Sequence, residues 1–133
     1  MRRVFADTFY FIALLSPDDQ THPKALEFSD SYDGQMVTTD WIITELADGM
    51  APPARRRKFV NFLGMLRTDP DVFIVSLDKD LQEEGLELYR KRPDKGWSLT
   101  DCISFIVMQR EGLTEALTGD HHFEQTGFVA LLK

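Results

Sequence analysis

The sequence predicts an α/β fold in which helices cover both faces of a parallel sheet. Three observations carry this. Short apolar runs alternate along the chain with segments of helical periodicity. Each strand candidate is apolar throughout instead of alternating, the pattern of strands buried on both faces. The 133 residues amount to one domain, 1–133, against a typical ~150, and are enough to bury a core without staples. A composition that is 43% hydrophobic and 28% charged excludes a disordered or low-complexity chain.

Val4-Phe5-Ala6 is the first strand candidate. It ends at Asp7, and a helical pattern through Phe11, Leu14 and Leu15 follows until Ser16-Pro17-Asp18-Asp19 breaks it. His22 to Tyr32 reads as a helix closed by Asp33-Gly34, and Gln35 to Thr38 as the second strand. Thr39 or Asp40 caps a helix carrying Trp41, Ile42, Ile43, Leu46 and Ala47 that stops at Gly49. Pro52-Pro53 sets off a further helix, Arg55 to Leu66, and Val72 to Val75 is the clearest strand. Asp78 to Arg92 is an amphipathic helix ended by Pro93. Ser98 opens the next helix. Its run from Cys102 to Met108 is apolar on nearly every side except Ser104, which places it at the centre of the domain. Gly112 ends it, and Ala116 to Thr118 and Phe128 to Leu132 are the last two strands.

Charge and composition narrow the function. Fifteen basic against 22 acidic residues give −7, so the overall charge does not draw the chain to nucleic acid; such binding needs local basic patches or bound cations. The lone Cys102 cannot form an internal disulfide and fits a reducing compartment. The longest apolar run, Phe9 to Leu15, has seven residues, far below the ~18 of a bilayer span. Arg2 and Arg3 precede it as in a signal peptide, but Asp7 interrupts and no small-residue cleavage site follows. The expected location is the cytoplasm, with no membrane association.

In an open α/β sheet, ligands bind beyond the carboxyl ends of the strands. Asp7 follows the first strand, Asp120 follows the strand at Ala116 to Thr118, and Asp101 lies in the first turn of the central helix. Glu45 stands mid-helix among Trp41, Ile42 and Leu46, where a solvated face fits poorly. Each of the others has a structural reading: Asp7 as a helix cap, Asp101 as the partner of Ser98 in a near capping box, Asp120 as a turn residue. Convergence changes the balance. Several carboxylates sharing one pocket repel unless one takes a proton or a hard cation such as Mg²⁺ or Mn²⁺ joins them. His121 and His122, adjacent in sequence, are expected to point in different directions and to be solvated or to support the site from outside it; no histidine or cysteine shows zinc spacing.

These residues resemble a known family. Val4-Phe5-Ala6-Asp7-Thr8 with Phe11 to Leu15, Thr44-Glu45-Leu46, Leu99 to Phe105, Leu117 to Phe123 and Gly127-Phe128 look like a PIN-domain protein, closest to the small stand-alone type that includes VapC toxins. The four acids, at separations of 38, 56 and 19 residues, follow the family's order over essentially the whole chain. The resemblance implies a three-layer α/β/α sandwich with a mostly parallel sheet and a metal-dependent ribonuclease. It maps the family's acidic quartet onto Asp7, Glu45, Asp101 and Asp120, with Thr8 and Thr118 as the hydroxyls beside the first and last acids. Ser98 is a supporting polar group near the central helix's start. On this reading Asp7 and Asp101 are the main ligands of Mg²⁺ or Mn²⁺, with Glu45 and Asp120 completing the set or orienting water. The resemblance also implies a small antitoxin partner and a homodimer.

An RNA substrate needs cations. Arg55-Arg56-Arg57-Lys58 and Arg90-Lys91-Arg92, with Lys95, are the candidate clusters, and Trp97 is either a base-stacking surface or a residue packed beneath its loop. Two alternatives compete with the nuclease. A receiver-like phosphoacceptor domain would want paired acids after the first strand and a reactive Asp after the third, near Asp78. A PIN-fold binding module would need no catalysis.

Overall fold

The computed structural model describes residues 1–133. Five strands, β1 (Arg3–Ala6), β2 (Gln35–Thr39), β3 (Val72–Val75), β4 (Glu115–Leu117) and β5 (Val129–Ala130), form one sheet in the order β3-β2-β1-β4-β5, and every pairing is parallel. Between them run α1 (Thr8–Leu15), α2 (His22–Ser31), α3 (Asp40–Gly49), α4 (Pro53–Thr68), α5 (Lys79–Lys91), α6 (Leu99–Glu111) and α7 (His121–Gln125). The expected α/β sandwich is therefore present. No helix is long and apolar enough to cross a membrane.

The topology positions the site. From β1 the chain moves outward to β2 and β3, then returns to the other side of β1 to lay down β4 and β5. Strands β1 and β4 thus flank the switch point, where the connections leave in opposite directions and a crevice opens beyond the strand ends. Asp7 leaves β1 there, its N–H still donating to Leu117 O of β4 at 3.3 Å.

Local chemistry sets the helix starts. Thr39 caps α3 by accepting from Ile42 N, Asp78 caps α5 by accepting from Leu81 N, and Ser98 caps α6 in a full capping box with Asp101. Helix α6 is central, as its apolar run demands: Cys102, Ile103, Phe105, Val107 and Met108 are all buried. Phe5, Phe11, Phe105 and Phe123 are almost wholly removed from water, each contributing about 2–3 kcal/mol of apolar burial. Helices α5 and α6 come so close that a Cβ at Gly85 would lie 2.4 Å from Ile103 Cγ1.

Two strand bounds need correcting, and one helix is new. Thr118 lies just past β4, which starts instead at Glu115. The last strand is only Val129–Ala130, not Phe128 to Leu132; it pairs at the sheet's edge, although Leu131 N and Leu132 N still donate to Ala116 O and Thr118 O. Helix α7 was not expected, since five residues are too few to imprint a 3.6-residue period.

Candidate active site

Asp7 stands at the N-cap position of α1, yet its side chain makes no capping bond. The carboxylate turns inward, 6% exposed, and Oδ2 accepts from Thr118 Oγ1 at 2.8 Å. Thr118 is itself fully buried and its Oγ1 also accepts from Asp120 N at 3.0 Å. One hydroxyl thereby ties the end of β1 to the loop after β4. Burial pushes the Asp7 carboxyl up to about 7; the Thr118 bond opposes this, and the charges of Asp101 and Glu45 push it further.

Asp101 does two things. Its N–H donates to Ser98 Oγ at 3.0 Å and its Oδ2 accepts from Ser98 N at 3.2 Å, so the capping reading holds. The same Oδ2 lies 3.1 Å from His122 Nδ1. Burial raises the Asp101 carboxyl above its ordinary range; the Ser98 N–H pulls back, the charge of Asp120 raises it again, and His122 lowers it. Asp120 caps α7, with Oδ1 accepting from His122 N at 2.9 Å. Glu45 differs from expectation. It is exposed, because α3 buries Ile42, Ile43 and Leu46 and turns Glu45 outward, but it remains close enough to act on Asp7.

The four acids therefore share one electrostatic neighbourhood. Asp101 and Asp120 find ion partners only in His122 and His121, not in lysine or arginine. Thr8, beside Asp7, is buried with its Oγ1 unpartnered. A buried carboxylate without a cation, flanked by two more acids and an unpartnered hydroxyl, fits a divalent ion held by oxygen.

The histidines behave otherwise than the sequence suggested. Their rings lie 4.5 Å apart, and both Nδ1 atoms turn toward Asp120 Oδ1, His121 at 3.6 Å and His122 at 3.4 Å. His122 bridges Asp101 and Asp120, a pairing across 21 residues that the adjacency of the two histidines did not signal.

Among the other candidates, Arg55, Arg56, Arg57 and Lys58 are exposed on the first turns of α4. Arg90 and Lys91 pair with Glu87, and Arg92 pairs with Asp94 and lies over the Trp97 ring. Trp97 is buried, edge-on to Phe105, with Nε1 donating to Gln125 Oε1 at 2.8 Å, so it packs beneath its loop. Two adjoining concavities, both lined by Tyr10, Ser29, Met36, Asp69 and Val72, share no residue with the acidic group.

The PIN domain family model matches residues 4–129. The chain belongs to the PIN-domain family. Over 126 residues it is 25% identical to the 23S rRNA-specific endonuclease VapC20 of Mycobacterium tuberculosis, covering 95% of both chains. The crystal structure of VapC20, a sarcin-ricin loop cleaving toxin, superposes with a TM-score of 0.86 over 95% of this chain and 96% of that one. FitAcB from Neisseria gonorrhoeae, 17% identical, shares the fold with a TM-score of 0.68 over 96% and 95% of the two chains. In this PIN domain Asp7 and Asp120 thus follow the carboxyl ends of β1 and β4.

Proposed function

We propose that this PIN domain is a metal-dependent endoribonuclease, the toxin of a toxin–antitoxin pair acting in the cytoplasm. The observation that carries the reading is Asp7: a carboxylate 6% exposed, with two further acids acting on it and no basic side chain to offset them. The likeness to VapC20 across nearly the whole of both chains supports RNA as the substrate class. A small antitoxin partner and a homodimer belong to the same reading, as does a single functional unit spanning 1–133.

Asp7 and Asp101 would hold Mg²⁺ or Mn²⁺, with Glu45 and Asp120 completing the set. The ion's chemistry, when bound, is to lower the pKa of water and offset charge on the phosphoryl oxygens. The protein's own share is positional. Thr118 holds Asp7 Oδ2, and the Ser98 N–H holds Asp101 Oδ2, which fixes the two principal ligands before substrate arrives. Thr8 Oγ1 offers a further oxygen beside Asp7. Glu45, open to solvent at the rim, orients the attacking water and accepts its proton. Phosphates beyond the cut are held by Arg55, Arg56, Arg57 and Lys58. These cations crowd the N-terminal end of α4 with no acid in its first turn, where the helix dipole disfavours positive charge and an incoming phosphate relieves the conflict. Arg90, Lys91 and Arg92 are the weaker candidates, since Glu87 and Asp94 already engage them.

The receiver-like alternative loses its acceptor, because Asp78 is committed to capping α5. The test of the nuclease is cleavage of total cellular RNA with Mg²⁺ or Mn²⁺, wild type beside Asp7→Asn, with the cut ends mapped. Discrete ends from wild type only support the reading. Equal cleavage by folded Asp7→Asn refutes the role of Asp7, and no cleavage by either protein leaves the binding-module alternative in possession.

A further inference from the structure

We infer that Asp120, His121 and His122, with Asp101 at the edge, form a nitrogen-bearing site for a divalent transition ion of the Co²⁺ or Zn²⁺ class. The three residues each place a ligand atom within 4.8 Å of the others. Asp120 Oδ1 lies 3.6 Å from His121 Nδ1 and 3.4 Å from His122 Nδ1, and His122 Nδ1 lies 3.1 Å from Asp101 Oδ2. Ligands about 2.1 Å from a tetrahedral ion stand about 3.4 Å apart, so these separations already suit shared coordination. Two imidazoles beside carboxylate oxygen favour Zn²⁺, Co²⁺ or Ni²⁺, whereas Mg²⁺ seeks oxygen alone.

The scaffold holds the donors in place. Asp120 Oδ1 is fixed by His122 N and its backbone N–H by Thr118 Oγ1, while Phe123, next in the chain, is fully buried and anchors α7. Hydrogen bonding of His122 Nδ1 to the acids would explain that residue alone. It would not explain why His121, exposed to solvent, also directs Nδ1 toward the same oxygen.

Ion binding here stands on the geometry alone. Its bearing on RNA cleavage rests on the nuclease reading, because an ion in this lobe engages Asp101 and Asp120, two of the four proposed catalytic acids. Occupancy by Co²⁺ or Zn²⁺ would then compete with the Mg²⁺-supported reaction.

The experiment uses the whole metal-free chain, with Co²⁺ as the spectroscopic probe and Mg²⁺ as the comparison, in wild type, His121→Ala and His121→Gln. His121 is exposed, so both variants keep the fold, checked by circular dichroism. Wild type is expected to show visible cobalt bands, with Co²⁺ affinity falling about tenfold or more in both variants and Mg²⁺ affinity unchanged. Absent bands in wild type, or Co²⁺ affinity unaltered by either substitution, would overturn the inference. So would an equal loss of Mg²⁺ affinity, which would make His121 a general support of the acids. Cobalt binding with no RNA cleavage would sink only the nuclease reading; cleavage with cobalt binding indifferent to His121 would sink only this one.

Discussion

Thr118 Oγ1 donates to Asp7 Oδ2 at 2.8 Å across a separation of 111 residues, so the charged form of the most buried acid depends on a hydroxyl from the loop just past β4. Thr118→Val keeps the shape and removes the donor. With Asp7 ionised it should cost about 1.5–3 kcal/mol, the range for hydrogen bonds to charged groups, and much less with Asp7 protonated. Urea unfolding of metal-free protein at pH 9 and at pH 5, about two units either side of the Asp7 midpoint, checks this; an equal loss at both values would contradict it.

Asp7 also sets a pH dependence whose sign is fixed. Its folded-state value of about 7 lies above the ordinary 3.8, so between these values the native state holds a proton that the unfolded chain has released. Stability of the metal-free protein therefore falls as pH rises from about 4 to about 7 and then levels. Asp7→Asn removes this dependence and should stabilise the metal-free protein at pH 8 by about 2–4 kcal/mol. Thermal melts of both proteins over that range in chelator give the comparison. Adding Mn²⁺ should stabilise wild type and leave the variant little changed.

Gly119 precedes Asp120, and a Cβ there would lie 2.5 Å from Phe9 Cζ. Gly119→Ala should cost about 1–3 kcal/mol, the usual range for overpacking, and displace the loop that carries Asp120. Phe9→Leu should restore much of the stability in the double variant. A double-mutant cycle by chemical denaturation tests it, and simple additivity would show that the contact does not limit the loop.

The basic start of α4 should carry salt dependence. Replacing Arg55 and Arg57 with Gln is expected to reduce the slope of log binding constant against log salt by about 0.7 per lost contact to single-stranded RNA. The readout is oligonucleotide binding at several salt concentrations in chelator. Arg90→Gln should leave the slope unchanged.

Much of this was legible because it is local. The run Val4 to Ala6 ending at Asp7 announces a strand and its exit, and Ser98 three residues before Asp101 announces a capped helix; both appear as read. Glu45 was misjudged for a physical reason: apolar neighbours in sequence alternate around a helix, so Ile42, Ile43 and Leu46 face the core while Glu45 between them does not. The turn of His121 and His122 toward Asp120 was not legible, since it is imposed by five-residue α7 and the buried Phe123. The bond from Thr118 to Asp7 was not either, because it exists only once β1 and β4 lie side by side.

The central claim is that side chains from the turn after β1, α3, α6 and the turn after β4 meet to share a divalent ion. Crystals of the whole chain grown with Mn²⁺, measured for anomalous scattering at the manganese edge, test it most directly. A peak within bonding distance of both Asp7 and Asp101 carboxylates, lost in Asp7→Asn, is the predicted result. Saturating Mn²⁺ with no density between those carboxylates would contradict it.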